Sequence, residues 1–390
     1  MKLFEYQAKE LFRQAGIMVP EGRLAVTAKE AVQAVCAVGL PCMIKAQVLQ
    51  GGRGKAGLIR RASSEGEAEK AACELFAQIA AGQKVLVEQA IDFDREVYLS
   101  VSLDPVSARY RIMACSEGGV EIETLARERP ESILRGTAGI GSDLPDFVAR
   151  ELGYGLGLSG IALNLFCRVV QALVGIFRQY DAELAEINPL FLTAEGQVIA
   201  GDGKMILDDN SQFRQPKLTH TREYFDSDLE YEAWQEGIPY LQFDGDISLM
   251  CAGAGLTNTV YDLIHDAGGS VANYLEFGGA NYTRASKAME LCLKNRSRVI
   301  LIVTFGTIAR ADVMARGVVE AIRALQPNRP MVVCIRGTNE EEAARILREA
   351  GIAGYADTEE AVEEAVRLSK ASILSAVPAD VRQDPGGAQT

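Results

Sequence analysis

Two distant stretches of the chain carry residue types that bind phosphate and magnesium. Lys45 closes an apolar strand and is followed by the glycine-rich segment 51–57, which contains Arg53. Glycines leave room for backbone N–H groups to approach phosphate oxygens, and the basic side chains supply the opposing charge. Asn188 and Asp202 offer hard oxygen ligands, which Mg²⁺ accepts while it keeps waters and bridges phosphates. Together the two stretches predict a site for a nucleoside triphosphate.

Each of these residues also has a plain structural explanation. Lys45 could be a lysine whose stem covers the core while its ammonium reaches water. Asn188 and Asp202 stand before a proline and a glycine, so each could simply stabilise a turn, and the glycine segment could be a hairpin. Glu186 should project on the same face as Asn188 because side chains alternate along a strand, which adds a third oxygen group near the phosphates.

Glu88 and Glu96 flank a short segment between two predicted strands. They could be ordinary solvated acids. Alternatively, the segment is a hinge whose backbone meets a nucleotide base while a carboxylate accepts hydrogen bonds from ribose hydroxyls. The sequence leaves both explanations open.

The bulk composition excludes several classes of partner. A net charge of −13 argues against a nucleic-acid or anionic-membrane surface. The eight cysteines are scattered singly without metal-ligand spacing, which is typical of reduced core residues. The first residues lack the apolar segment of a secretory signal, and the longest apolar run, 299–305, is too short to span a bilayer. We therefore expect a cytoplasmic protein.

The chain of 390 residues is too long for one ordinary core, and the pattern of predicted helices and strands changes along its length. Residues 1–235 mix helices and strands irregularly, whereas residues 244–376 alternate between apolar strands and amphipathic helices, which predicts a parallel sheet covered on both faces. We interpret 226–245 as a linker and the polar residues 377–390 as a disordered tail. The fold class is α/β, with two domains.

Within the first domain, three features are predicted that bear on the site. An amphipathic helix covers 4–15, and a long apolar helix covers 161–180. The segments 185–192 and 197–207 form an antiparallel pair of strands joined by a turn at 194–196.

Each strand of the second domain ends in a glycine turn that opens a helix. The turns are Gly253-Ala-Gly255, Gly278-Gly-Ala-Asn281, Gly306-Thr307 and Gly337-Thr-Asn339. Helix N-termini at the carboxyl edge of a parallel sheet bind anions, although such turns also occur without a ligand.

Histidine is scarce in this chain. His220 lies in a polar stretch and His265 on a helix, and neither stands among phosphate-binding residues. If the chemistry uses a phosphate-carrying histidine, a partner must supply it.

With these motifs in place, the chain resembles the β subunit of succinyl-CoA synthetase, the ADP-forming succinate–CoA ligase. The similarity runs from residue 3 to about residue 375. It rests on Leu3-Phe-Glu-Tyr-Gln-Ala-Lys-Glu10, Gly51-Gly-Arg-Gly-Lys-Ala-Gly57, Glu117-Gly-Gly-Val-Glu121, Glu186-Ile-Asn-Pro-Leu190, Asp202-Gly-Lys204 and Phe213-Arg-Gln-Pro216. The resemblance implies an N-terminal ATP-grasp domain (α+β) and a C-terminal, flavodoxin-like CoA-ligase domain.

In that family an α subunit binds CoA and carries the phosphorylated histidine, so the resemblance implies such a partner, in a heterodimer or a heterotetramer. It implies that Asn188 and Asp202 hold Mg²⁺ and that Glu186 orients the partner's histidine. The residues expected around ATP or ADP, with GTP left open, are Lys45, Gly52, Arg53, Gly54, Glu88, Ile91 and Glu96.

The second domain departs from the family where the acid and the phosphohistidine are expected. Ala252 stands where an asparagine is expected, which deletes a donor, and Thr307 replaces a glycine at a helix N-terminus. Glu276-Phe-Gly-Gly-Ala280 replaces Asp-Val-Gly-Gly-Gly. The candidate residues for the acid are Ala252, Thr307, Ile308 and Ala309.

The resemblance therefore implies a ligase subunit, with succinate as the expected acid. Three alternatives stay open. The acid could be another carboxylate such as malate, the chain could be a nucleotide-binding paralogue without ligase activity, or it could be a ligase that acts alone.

Overall fold

The structure is a computed structural model that describes residues 1–80, 82–120, 122–141, 143–277, 284–307 and 309–376. Ile308, the turn at 278–281 and the predicted tail 377–390 lie outside the described residues. The chain divides into two compact units, 1–223 and 224–390. The predicted first domain ends at 235, whereas the first compact unit ends at 223. The helix Asp228–Gln235 lies in the second unit, where Glu232 lies 2.8 Å from the Lys287 Nζ.

The first unit begins with a four-stranded antiparallel sheet. Its strands, in the order β1-β4-β2-β3, are β1 (Gly22–Ala25), β2 (Cys42–Gln47), β3 (Ile59–Ala62) and β4 (Lys84–Gln89). Helices α2 (Ala28–Val38) and α3 (Glu65–Gln78) cover it, and Thr27 caps α2 by accepting a hydrogen bond from the Glu30 N–H. The glycine-rich segment joins β2 to β3.

A six-stranded antiparallel sheet completes the first unit, in the order β10-β8-β5-β6-β7 with β9 paired to β8. Its strands are β5 (Arg95–Asp104), β6 (Arg109–Cys115), β7 (Ile133–Gly139), β8 (Ala182–Leu192), β9 (Val198–Ala200) and β10 (Lys204–Leu207). Its helices are α1 (Glu5–Gln14), α4 (Ile122–Glu128), α5 (Asp146–Gly155) and α6 (Gly160–Gln179). Short 3₁₀ helices cover Pro130–Ser132, Asp209–Arg214 and Arg222–Tyr224.

The predicted strand 197–207 is wrong as a single strand, because it breaks at Gly201–Gly203 into β9 and β10. A Cβ at Gly201 would come within 2.3 Å of the Phe191 ring, and one at Gly203 within 2.6 Å of the Phe12 ring. The two glycines let this connection pass close to the Phe191 and Phe12 rings. Asp202, which lies between the glycines, is thereby held in place.

By length and composition, one helix among the described residues, α6, could cross a membrane. In this structure α6 packs on β5 and β8 and buries an apolar face against them.

The second unit is a five-stranded sheet in the order β11-β13-β12-β14-β15, parallel except for the edge strand β11. Its strands are β11 (Tyr240–Gln242), β12 (Ile247–Ala252), β13 (Val271–Leu275), β14 (Val299–Gly306) and β15 (Met331–Gly337). Its helices are α7 (Asp228–Gln235), α8 (Ala254–Asp266), α9 (Ala285–Lys294), α10 (Ala311–Leu325), α11 (Glu340–Glu349) and α12 (Thr358–Ala376). Separate apolar clusters cover the two faces, as the sequence predicts. The predicted linker 226–245 instead holds α7 and β11.

Candidate active site

A cavity of about 590 Å³ lies in the first unit where the two chemistry-bearing stretches meet. One wall is the glycine segment after β2, and the other is formed by β8 and the connection between β9 and β10. Arg53, Glu186, Asn188 and Asp202 line it together. Residues from distant parts of the sequence thus share one cavity.

The glycine segment is a compact loop held by its own backbone. The Ala56 N–H donates to the Gly52 carbonyl at 3.0 Å, and the Leu58 N–H donates to the Arg53 carbonyl at 2.9 Å. Gly52 has a φ of +73°, which favours glycine. A Cβ at Gly51, Gly52 or Gly54 would meet no atom within 4 Å, so the space above the loop is open to a ligand.

Lys45 is buried, and its charge is matched by carboxylates of the same unit. Its Nζ lies 3.0 Å from Glu5 and 2.5 Å from Glu88, and it donates to the Gly201 carbonyl at 2.7 Å. These acceptors use all three donors of an ammonium group. Burial alone would lower the pKa of Lys45, but Glu5 and then Glu88 raise it above its usual value. The structure thus offers a second explanation for a buried Lys45.

The sequence analysis missed two residues of this cluster, Glu5 and Lys9 of α1. The Lys9 Nζ lies 2.8 Å from Glu5 and 2.6 Å from Glu88, and it too donates to the Gly201 carbonyl. Burial would raise the pKa of Glu5, but Lys45, Lys9 and Arg53 hold it well below its usual value. Their i, i+4 spacing indicates that the two charges can pair on one side of α1, but the sequence does not show that this pair is buried.

Arg53 links the glycine loop to the opposite wall of the cavity. Its Nη2 donates to both carboxylate oxygens of Asp202, at 2.8 and 2.7 Å, and its Nη1 donates to Glu5 at 2.6 Å. Burial, followed by the negative charge of Glu5, raises the pKa of Asp202 although Arg53 opposes the shift. A predicted phosphate ligand and a predicted metal ligand therefore neutralise each other.

Asn188 holds a second glycine loop, formed by Glu117-Gly-Gly-Val120. Its Oδ1 accepts from the Gly119 N–H at 2.7 Å, and its Nδ2 donates to the Val120 carbonyl at 2.9 Å. A Cβ at Gly118 would come within 2.8 Å of the Val97 nitrogen, so the loop packs against β5 only with glycine there. This gives the Glu117-Gly-Gly motif a place at the rim of the cavity.

Asp202 and Asn188 fit magnesium by donor type, since carboxylate and amide oxygens are hard ligands. Among the described residues, no group of three or more His, Cys, Asp or Glu side chains could hold a metal. Magnesium takes few protein ligands and completes its shell with phosphate and water. To bind such a cation, Asp202 would give up its contacts with Arg53, and the Asn188 Oδ1 would give up its hydrogen bond from the Gly119 N–H.

Glu186 projects into the cavity from β8, on the same side as Asn188. The Tyr98 hydroxyl donates to it at 3.2 Å. Burial raises the pKa of Glu186, although the neighbouring Lys204 opposes the shift. A buried carboxylate of this kind can accept a hydrogen bond from an imidazole N–H.

Four of the residues expected around the nucleotide do not line this cavity: Lys45, described above, and Glu88, Ile91 and Glu96. Glu88 is 2% exposed and faces the lysines. Ile91 lies between β4 and β5 and is half-buried, and Glu96 lies on β5, where burial raises its pKa. Their expected contacts with the base and ribose stay predictions.

Neither histidine lines the cavity. The Nδ1 of His220 lies 3.3 Å from the Gln212 Nε2, and that of His265 lies 3.0 Å from the Tyr261 carbonyl oxygen. The first unit therefore brings a phosphate-sized space, cations and carboxylates together without an imidazole of its own among the lining residues.

The carboxyl edge of the second sheet holds the described candidate residues for the acid. Ala252 ends β12, opposite Thr304 of β14, and Thr307 and Ala309 follow β14. The Thr338 hydroxyl donates to the Thr307 carbonyl at 3.0 Å, which ties the two neighbouring turns together. Glycine is required at 337, because a Cβ there would lie 2.0 Å from the Gly306 carbonyl oxygen.

Two family descriptions match the chain. Residues 2–192 match the ATP-grasp domain, and residues 250–368 match the CoA-ligase family. The first match covers the cavity-bearing sheets, and the second covers most of the parallel sheet with its turns.

Curated relatives match over almost the whole chain. The ADP-forming sulfoacetate-CoA ligase subunit SauC of Bilophila wadsworthia is 57% identical over 95% of this chain and 99% of its own length. The subunit SqwK of an ADP-forming sulfoacetate-CoA ligase from an Acholeplasma species is 53% identical, over 95% of this chain and 92% of its own length. The β subunit of the ADP-forming succinate–CoA ligase of Ignicoccus hospitalis is 41% identical, over 95% and 100%.

Among solved structures, the ATP citrate lyase of Methanothrix soehngenii, determined with citrate and coenzyme A, matches with a TM-score of 0.69. It covers 94% of this chain and 99% of its own, at 19% identity. At that identity the likeness concerns the fold alone.

Proposed function

The chain belongs to the β-subunit family of ADP-forming CoA ligases, and from this premise we propose that it is the nucleotide-binding subunit of a sulfoacetate–CoA ligase. The observation that carries the nucleotide assignment is the meeting of the glycine loop, Arg53, Asn188, Asp202 and Glu186 in one cavity. The choice of sulfoacetate is supported by the two relatives that share more than half of their residues with this chain.

In this proposal the first unit binds ATP and positions its terminal phosphate. The backbone N–H groups of the glycine loop bind the phosphates, and Arg53 turns from Asp202 to a phosphate oxygen. Asp202 and Asn188 would hold Mg²⁺, which when bound neutralises charge on the phosphates. Catalysis then consists of positioning and electrostatic stabilisation.

Glu186 positions the histidine that accepts the phosphoryl group. Its carboxylate accepts a hydrogen bond from one imidazole nitrogen of a histidine on a partner subunit, so that the other nitrogen faces the phosphorus. The nitrogen takes the γ-phosphoryl group, and ADP leaves. The acid then takes this group as an acyl phosphate, and the CoA thiolate displaces inorganic phosphate to give the acyl-CoA.

The departures at the second sheet support an acid other than succinate. A sulfonate is tetrahedral and presents three oxygens, whereas a carboxylate is planar and presents two. Ala252 offers more room than the asparagine expected in succinate enzymes, and Thr307 adds a hydroxyl donor to its turn. Succinate is the second candidate, because relatives named as succinate–CoA ligases share 38–41% of their residues with the chain.

We further propose a cytoplasmic location. All eight cysteines are free in the structure, and five of them are buried, as expected for a protein in a reducing compartment.

The acid can be identified by trapping the activated product with hydroxylamine. The chain, co-expressed with its partner subunit, is assayed with Mg-ATP, CoA and sulfoacetate, succinate or malate. We expect kcat/KM for sulfoacetate to exceed that for succinate by about tenfold or more, in the range that differential pocket contacts provide. The double variant Ala252→Asn/Thr307→Gly should reduce that ratio.

Three outcomes would each contradict part of the proposal. A preference for succinate or malate would replace the acid but leave the ligase assignment intact. Binding of Mg-ADP with no hydroxamate from any acid, and no phosphate on the partner, would identify a paralogue without ligase activity. Turnover by the chain alone would remove the need for the partner.

A further inference from the structure

Two lysines face the cavity without a partner. Lys2 precedes α1 and Lys204 begins β10; both line the cavity and both are half-buried. Neither ammonium group makes a hydrogen bond or an ion pair with any residue in the described ranges. Their positive charge is therefore available to a ligand.

The other cations of this region are already occupied. Lys45 and Lys9 each use their donors on Glu5, Glu88 and the Gly201 carbonyl. Together with Arg53 they are balanced by an equal number of carboxylates, because Asp202 completes the set. An anion entering the cavity meets a neutral cluster there, whereas Lys2 and Lys204 make no ion pair with any described residue and only the charge of Glu186 acts against theirs.

The location of Lys204 connects it to the transfer step. It lies directly opposite Glu186 in the antiparallel pair of β8 and β10, where side chains on one face are about 5 Å apart. It is also two residues from Asp202, on the same side of the strand connection, since Gly203 between them faces Phe12. Lys204 therefore stands between the expected metal ligand and the expected holder of the imidazole.

Lys2 extends this positive region. It is bridged to Ile206 of β10, and the positive charges of Lys204 and Arg53 act on its ammonium group. Lys2, Lys204 and Arg53 thus gather at the cavity wall, and of these three Arg53 is the one that forms ion pairs. Such repulsion is relieved when an anion with several oxygens binds between them.

We propose that Lys204 and Lys2 bind the phosphoryl group that passes between the nucleotide and the partner's histidine. The inference rests on the proposed function and adds two residues to it that neither the glycine loop nor the metal ligands include. In this arrangement the Lys204 ammonium group stays in contact with the phosphoryl group while it moves from ATP to the imidazole. Lys2 neutralises the remaining negative charge of the phosphoryl group.

The experiment compares ATP with ADP, because only ATP carries the group in question. Binding of Mg-ATP and Mg-ADP to the full chain is measured by titration calorimetry for Lys204→Gln, Lys2→Gln, the double variant and Lys204→Arg. Lys29→Gln, an exposed lysine on α2, is the matched control. Phosphorylation of the partner in the complex is followed with γ-labelled ATP.

We expect Lys204→Gln to weaken Mg-ATP binding by about tenfold, the scale of one charge-assisted hydrogen bond, with little change for Mg-ADP. The rate of phosphorylation should fall further in the double variant and recover in part with Lys204→Arg. A merely structural role would lower both affinities together.

Equal losses for ATP and ADP, or values like those of Lys29→Gln, would overturn the inference while leaving the nucleotide site intact. If the wild-type chain binds neither nucleotide, the proposed function itself fails, and the inference with it.

Discussion

Asp202→Asn is expected to lower the rate of partner phosphorylation by about 10²- to 10³-fold, the loss seen when a group that stabilises transition-state charge is removed. The asparagine keeps the shape of the side chain but loses the charge that attracts a divalent cation. It also releases Arg53, whose Nη2 now donates to both Asp202 oxygens. The rate is measured with γ-labelled ATP at increasing Mg²⁺, and part of the loss should recover at high Mg²⁺.

Asp143→Asn is the control for this experiment. Asp143 is 92% exposed and makes a surface ion pair with Arg178, so its loss should leave phosphorylation unchanged. If Asp202→Asn behaves like Asp143→Asn, the assignment of Asp202 as a metal ligand is wrong.

Glu5→Ala is expected to destabilise the first unit by about 3–5 kcal/mol, because it leaves buried cations without a counter-charge. The Glu5 carboxylate is 1% exposed and lies within 3.0 Å of Lys9, Lys45 and Arg53. Glu10→Ala on the same helix is the control, since its carboxylate is 52% exposed and pairs only at the surface with Arg13. That change should stay within about 0.5 kcal/mol.

The same variant should alter the pH dependence of stability. The pKa of Glu5 is lower in the folded chain than its ordinary value, so its stabilising effect is fully present above the unfolded pKa and is lost as pH falls through the folded one. Urea unfolding of the first unit, followed from neutral to acid pH, should show a shallower decline for Glu5→Ala than for the wild type. A parallel decline would mean that Glu5 is not held by its neighbours.

The sequence predicts the parts of the site that depend on local residue type. The glycine loop, the strand that ends near Lys45 and the pair that carries Glu186 and Asn188 follow from turn chemistry and strand periodicity. The parallel sheet of the second unit can be predicted equally well, because apolar strands that alternate with amphipathic helices can pack in only a few arrangements.

Other features depend on contacts that no local pattern records. Glu5 and Lys9 look like surface charges on an amphipathic helix, and only the packing of α1 against Gly201 buries them. Glu88 faces this cluster because β4 lies in the middle of its sheet. The connection at Gly201–Gly203 was missed because the apolar segments on either side of it, 198–200 and 205–207, were taken as one strand, and the rings that exclude a Cβ come from distant residues.

The segment 226–245 of the second unit shows the same limit. Charges and a proline at 226–245 suggested a linker, but Ser227 caps α7 with Glu230 as its reciprocal partner, and Glu230 also accepts from the Gln242 N–H of β11. The capping box and the short edge strand could have been predicted from the sequence if a helix of only eight residues had been considered.

The central claim is that the glycine loop and the Asn188–Asp202 wall together form the magnesium-nucleotide site. A crystal structure of the chain with Mg-ADP tests it most directly. We expect the diphosphate against Gly52–Gly54, Mg²⁺ on the oxygens of Asn188 and Asp202, and Arg53 on a phosphate instead of on Asp202. A nucleotide bound elsewhere, or an Arg53–Asp202 pair that persists beside the bound nucleotide, would contradict the claim.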